Sequence, residues 1–319
     1  MKFRLAEALQ HRWVERPPAG WTASREVALL DRAEARILGY QPKADLMLQH
    51  LESSRRVWIE LEISRADPVA NPVKFGSAHL LKPLPPSDSF VSLVSRDIAA
   101  GRANLTAHAV WLLRSSGLRA FQMPLLPELN GRAIKLLNQG KGDLNDLPTP
   151  DLGELLLSTE PVCSSGGSGI YRVTNRLEVF LNIHQWNKDM TDSQSRTAWG
   201  RRRVRYFVHD PRSNLFAPSK FAAYTRIPEA AGNEEPPPFN PAMTVRYYSR
   251  IPHDTPIFDG RRAWHRIASL GFHVLFPKDC QSIIQRHFKA WLAMHSSSIH
   301  TDFDKAAILV NAEHISQLG

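Results

Sequence analysis

The sequence predicts an α/β amino-terminal domain, with a central mixed sheet flanked by helices, followed by an α+β, strand-rich carboxy-terminal domain. Three observations predict it. Helix-period and strand-period apolar patterns alternate over residues 22–140. A stretch dense in turn formers and charge, Asn138 to Pro150, then interrupts all periodicity. Beyond it, short β-type runs bounded by turns follow one another closely. At 319 residues and 43% hydrophobic content the chain can fill two ordinary cores, so we expect one domain over 1–145 and a second over 146–319.

The elements of the first domain read in order. Val27, Leu30, Ile37 and Leu38 recur at helical spacing after potential N-caps at Thr22 and Ser24, and Glu34 falls inside that apolar stripe. An acid on a packing face needs a partner, although a long side chain also escapes to solvent at a stripe's edge. Gln41–His50 reads as a strand, Glu52-Ser53-Ser54 as a polar turn, and Arg56–Ile63 as a second strand, together a hairpin. Asp67-Pro68 suits a helix start and sets Lys74 about two turns in. A β run at Ser89–Ser95, a helix near Ala103–Ser116, a strand at Arg119–Leu125 and an amphipathic helix near Glu128–Leu137 complete the block.

The chemistry concentrates in the hairpin. Side chains alternate along a strand, so Val57, Ile59, Leu61 and Ile63 form one face while Trp58, Glu60 and Glu62 form the other. Antiparallel pairing brings Asp45 beside Glu60 and Glu62. Close carboxylates repel, so the set persists only when solvated or neutralised by a proton or a cation. A wet outer face satisfies the first condition; a divalent metal satisfies the second and supplies chemistry.

This order of helix, strand with Asp45, strand with Glu60-Leu61-Glu62, helix, strand, helix, strand resembles the core of the restriction-endonuclease-like nucleases over about residues 22–140. That family carries an acid on one strand, (Asp/Glu)-x-Lys on the next and often a supporting Glu on the first helix. The resemblance implies Asp45 and Glu60 as ligands of Mg²⁺ or Mn²⁺ and Glu34 as the auxiliary helix acid. Glu62 stands where the family usually has lysine, and Lys74 on the following helix is the candidate for the displaced positive charge. The implied activity is metal-dependent hydrolysis of phosphodiester bonds in double-stranded DNA, of a restriction or defence type, in the cytoplasm. Cutting both strands further implies a homodimer. The alternative is a non-catalytic DNA-binding protein that has kept the nuclease fold.

In the second domain Ile170–Thr174, Leu177–Ile183, Val204–Val208, Phe221–Thr225 and Thr244–Tyr248 read as strands, with helices near Arg261–Leu270 and Cys280–Met294. A curved or barrel-like sheet is expected, with an extra loop at Glu229–Pro241. Arg196 to Tyr206 holds five arginines, two aromatics and no acid in eleven positions. Guanidinium forks suit phosphates and aromatic faces stack on bases, so Arg196, Trp199, Arg201, Arg202, Arg203 and Arg205 are candidate DNA contacts, joined by Lys220 at a proline turn. A solvated charged turn anchored by Trp199 is the bland counterpart. His184 and His209 read as satisfied structural histidines.

Composition bounds these readings. Lys plus Arg exceed Asp plus Glu by 40 to 31, a net charge of +9 that favours polyanionic partners. Cys163 and Cys280 have no partner at zinc spacing, and Gly166-Gly167-Ser168-Gly169 lacks the Gly-Lys-Ser/Thr of a phosphate loop. No secretion leader or apolar membrane run is apparent, so we expect no membrane association and a cytoplasmic location.

Overall fold

The computed structural model describes residues 4–64, 67–144, 147–148, 150–165, 168–171, 176–199, 202–219, 257–258, 267–268, 270–276, 278, 280–301 and 306–311. It divides into two units, Met1–Thr159 and Glu160–Gly319. The division falls beyond the expected boundary at 145. Arg12 Nη1 donates to the Leu147 carbonyl (2.7 Å), a second Arg12 nitrogen donates to the Leu144 carbonyl, and Trp13 Nε1 reaches Pro150 O. These bonds fasten the turn-rich stretch to the first unit.

The first unit runs α1 (Arg4–Glu15), β1 (Trp21–Ala28), α2 (Arg32–Leu38), β2 (Lys43–His50), β3 (Arg56–Glu62), α3 (Ala70–Leu81), β4 (Ser89–Ser95), α4 (Ala100–Ser115), β5 (Arg119–Leu125), α5 (Gly131–Asn138) and α6 (Leu152–Ser158). Its sheet has the order β1-β2-β3-β4-β5, with β2 antiparallel to both neighbours and β3, β4 and β5 mutually parallel. Parallel neighbours need crossovers, and α3 and α4 supply them. Every residue of β4 is buried, and so is every residue of β3 from Val57 to Glu62, so both faces of the sheet centre are covered. On one face Met47, Trp58, Phe90 and Ala120 form a cross-strand row under Phe75 and Ala78 of α3 and Val110 and Leu113 of α4.

One expected helix is replaced by two elements. Residues 21–28 form the edge strand β1, and the helix begins only at Arg32. A capping box sets that start: Asp31 Oδ1 accepts from the Ala33 and Glu34 amides, and Glu34 Oε2 accepts from the Asp31 amide.

Asp88 anchors the sheet's centre. Fully buried, it accepts from the Arg56 amide (3.2 Å), Arg56 Nε (2.9 Å) and the Trp58 indole (3.1 Å).

The second unit contains β6 (Pro161–Ser165), β7 (Ser168–Tyr171), α7 (Arg176–Thr191), α8 (Ser193–Trp199), β8 (Arg202–Val204), β9 (Tyr206–Asp210), β10 (Leu215–Pro218), β11 (Ile257–Phe258), β12 (Phe272–Leu275), α9 (Ser282–Met294), β13 (Ile299–Thr301) and β14 (Ala307–Asn311). The expected strand at Leu177–Ile183 is the start of α7. Val179, Ile183, Trp186 and Met190 recur at three- and four-residue spacing, and that stripe reaches the core. The expected strand Val204–Val208 breaks at Arg205 into β8 and β9. The described strands form a four-stranded sheet β10-β9-β14-β12, a three-stranded sheet β11-β8-β13 and the pair β6-β7, rather than one curved sheet. Asn187 ties the core together, donating to the Ile183 and Phe216 carbonyls and accepting from the Trp291 indole at 2.6 Å. The expected strands at Phe221–Thr225 and Thr244–Tyr248, the loop at Glu229–Pro241 and most of the helix at Arg261–Leu270 lie outside the described residues. Among the described residues no helix is long and apolar enough to cross a membrane.

Replacing Asp88 with Ala strips three donors of their acceptor inside the sheet. Chemical denaturation is expected to register a loss of about 2–4 kcal/mol; a loss below about 1 kcal/mol would remove Asp88 from this role.

Candidate active site

Sheet geometry assembles the acids. Leu46 pairs with Ile59, so the next position along sets Asp45 level with Glu60 on one face. Parallel pairing sets Glu60 beside Ser92 and Glu62 beside Val94 on β4. Glu60 and Glu62 are 2% and 1% exposed, which removes the wet-face explanation of their spacing. Asp45 Oδ2 accepts from the Leu61 amide at 2.8 Å.

Helix α3 delivers the counter-groups. Asn71 and Lys74, three residues apart on one helix face, reach the two glutamates separately. Lys74 Nζ lies 2.6 Å from Glu60 Oε1, and Asn71 Nδ2 donates to Glu62 Oε1 at 2.7 Å. Lys74 stands little more than one turn into the helix, because α3 begins at Ala70 and not at the Asp-Pro step.

Charge is under-compensated at this spot. Burial, with repulsion from Asp45, pushes the Glu60 carboxyl well above its ordinary range, only partly offset by Lys74. Burial raises Glu62 to about 7, against the hydrogen bond from Asn71. Asp45 is raised too, by burial, against its bond to the Leu61 amide. One ammonium therefore faces three acids.

These groups open on a cavity of about 380 Å³, which Glu26 and Lys43 also line. Glu26 lies between Arg25, paired with Leu46, and Val27, paired with Ala44, so it stands level with Asp45. Its φ of 51° is left-handed, an unusual and costly conformation for a glutamate within a strand. Glu26, Lys43 and Asn71 escape a sequence reading for different reasons. Asn71 has a signal, its helical spacing from Lys74; Glu26 has none once its segment reads as helix.

Two expected site residues are elsewhere. Glu34 does not join the acids: it caps α2 and pairs with Lys82 at 2.7 Å. Trp199 cannot stack on a base, because it is 1% exposed, packs edge-on to Trp186 and donates its indole N–H to Asp189 at 3.1 Å. The arginine run is no single loop. Arg196 is exposed on α8, Arg203 is exposed on β8, and Arg205 occupies the half-buried bend before β9. Arg202 contributes backbone to β8, while its side chain, Arg201 and Lys220 lie outside what is described. His184 bonds Asp210 at 3.0 Å, beside Arg212 and Ser213, closing the β9–β10 turn.

The donor set is oxygen-rich. Among the described residues no group of three or more His, Cys, Asp or Glu side chains forms a ready-made metal cage. Asp45 and Glu60 offer two neighbouring carboxylates, the number that Mg²⁺ commonly takes from a protein while water and substrate oxygens fill its other positions. The residues fit that ion. Compared with protein-family models, curated proteins and solved structures, the chain matches none.

The raised carboxyl of Glu62 fixes a sign for pH dependence. Its folded value of about 7 exceeds the ordinary 4.5, so the folded state holds the proton more tightly. The contribution of Glu62 to stability is therefore greatest below pH 4.5 and falls as pH rises towards 7, by up to about 3 kcal/mol. Denaturation of Glu62→Gln at pH 5 and pH 8 is expected to give a flatter profile and a more stable protein at pH 8; an unchanged slope would contradict the assignment.

Proposed function

We propose that the first unit is a metal-dependent endodeoxyribonuclease of the restriction-endonuclease-like type, hydrolysing phosphodiester bonds in double-stranded DNA. The observation that carries this reading is the Lys74–Glu60 ion pair at 2.6 Å within a buried acid set. It supplies, from a helix, the positive charge missing where Glu62 replaces the family's usual lysine.

Asp45 and Glu60 would hold Mg²⁺ or Mn²⁺, which supplies Lewis-acid polarisation of the phosphoryl oxygen and activation of water. The remaining roles belong to the chain. Lys74 stabilises negative charge gathering on the phosphoryl oxygens and offsets part of the burial that disfavours ionised Glu60. Glu62, titrating near 7 and oriented by Asn71, accepts the proton of the attacking water at neutral pH. The net charge of +9 and the exposed Arg196 and Arg203 of the second unit support a polyanionic partner.

A second reading, a DNA-binding protein that does not cut, is favoured by one observation. Lys74 already occupies an oxygen of Glu60, so the acids are part-neutralised without an ion.

Plasmid cleavage separates the readings. With Mg²⁺ or Mn²⁺ the wild-type protein is expected to nick or linearise DNA, modified or unmodified. Glu60→Ala and Lys74→Ala should each lose roughly 10²–10⁴-fold in rate. DNA binding without cleavage under any divalent ion would establish the non-cutting reader. For the second unit, Arg196→Ala with Arg203→Ala is expected to weaken DNA binding and to lower its salt slope by about 1 for each phosphate no longer held. Unchanged affinity would return both arginines to a solvated surface.

A further inference from the structure

A second cleft adjoins the acid cavity and has no role in the hydrolysis described above. It measures about 720 Å³ and lies between α1 and the edge strand β1, meeting the acid cavity at Ala6, Glu26 and Asp45. The cleft is open to solvent, and its volume is on the scale of sites that hold a small molecule, enough for one or two nucleotides.

Its wall contains an unusual side chain. Ala6, Gln10 and Val14 recur every four residues along α1 and present one face to the cleft. Gln10 is 7% exposed, and its amide makes no hydrogen bond or ion pair within the described protein. Its amide atoms are not enclosed by protein, so they open on the cleft and offer two donors and an acceptor there. A simple packing role would be met better by leucine or methionine. The opposite wall is polar, with Ser24 and Arg25 of β1 and with the carboxylates of Glu7 and Glu26 at its rim.

We propose that this cleft is a nucleobase pocket, which receives an unpaired base adjacent to the phosphate held at the acid cavity, with Gln10 pairing to the base edge. The proposal rests on the nuclease reading for its class of ligand. The amide of glutamine matches the adjacent donor and acceptor of adenine, forming two bonds at once. Glu7 and Glu26 accept from exocyclic amino groups, which adenine and cytosine carry and thymine lacks. Arg25 meets the phosphate that flanks the base. The pocket therefore prefers amine-bearing bases, adenine first, and selects DNA in which a base has left the stack. A base reaches it from a single strand or by extrusion from a weakened duplex, at a cost least where pairing is already lost.

The test is binding of fluorescent oligonucleotides to the full chain in Ca²⁺, read by anisotropy, so that no cleavage is needed. Probes are oligo-dA, oligo-dC, oligo-dT, a matched duplex and a duplex with a single unpaired adenine. Oligo-dA is expected to bind about tenfold more tightly than oligo-dT, and the duplex with the unpaired adenine more tightly than the matched one. A gain for single strands alone would assign the source as single-stranded DNA. Gln10→Leu should erase the adenine preference while its melting temperature holds, because the amide makes no bond within the described protein. Ala23→Phe, which fills the cleft from β1 and leaves Gln10 intact, should do the same. Equal binding of oligo-dA and oligo-dT by the wild type, or an adenine preference that survives both substitutions, overturns the pocket. Failure of the nuclease reading is distinguishable, since it appears as absent cleavage whatever the oligonucleotide preference.

Discussion

The first unit is organised around carboxylates that the fold holds out of water. Glu60 and Glu62 lie in a central strand that is buried from Val57 onward, and burial opposes the ionisation of each. Lys74 and Asn71 reach them because α3 starts soon after β3 and lays one face across its end. Sheet order follows the same constraint. The antiparallel β2 brings Asp45 to that end, and the parallel β4 and β5 bury the strand from the far side. A protein gains nothing in stability from such a set, so its presence is an argument for chemistry at the site.

Much of this sheet is legible in the sequence, for a physical reason. Strands β4 and β5 appear there with the bounds they have in the structure, and β2 and β3 to within a few residues. Each is covered on both faces or strongly apolar, and its composition follows from that burial alone. Strand β1 is not legible, because an edge strand half in water carries Thr22, Ser24, Arg25 and Glu26, a pattern that helix and loop also tolerate. Taking that segment for helix moves Glu34 into the site and hides Glu26. The capping pair Asp31 and Glu34 is the available signal, and with Lys82 it accounts for both glutamate oxygens without any metal.

The second unit resists reading for another reason. Leu177, Val179, Leu181 and Ile183 alternate like a strand, yet the same segment continues to Trp186 and Met190 at helical spacing. Only the longer window distinguishes the periods. Trp199 shows the same limit in a side chain. An aromatic amid arginines suits base stacking, but the core of this unit is aromatic, with Trp186, Phe207, Phe216, Phe288 and Trp291, and Trp199 belongs to it. The exposed charges nearby, Arg196 and Arg203, are legible as exposed, since a lone guanidinium rarely enters a core.

Function at this site depends on whether the acids take a cation in place of their protons. Titration calorimetry with Mn²⁺ at pH 7, in two buffers of different ionisation enthalpy, measures binding and proton release together. Saturable binding with net release of protons is expected, and both should be lost in Glu60→Gln. Absence of binding by the wild type, or the same binding and proton release in Glu60→Gln, would contradict a metal site built on these acids.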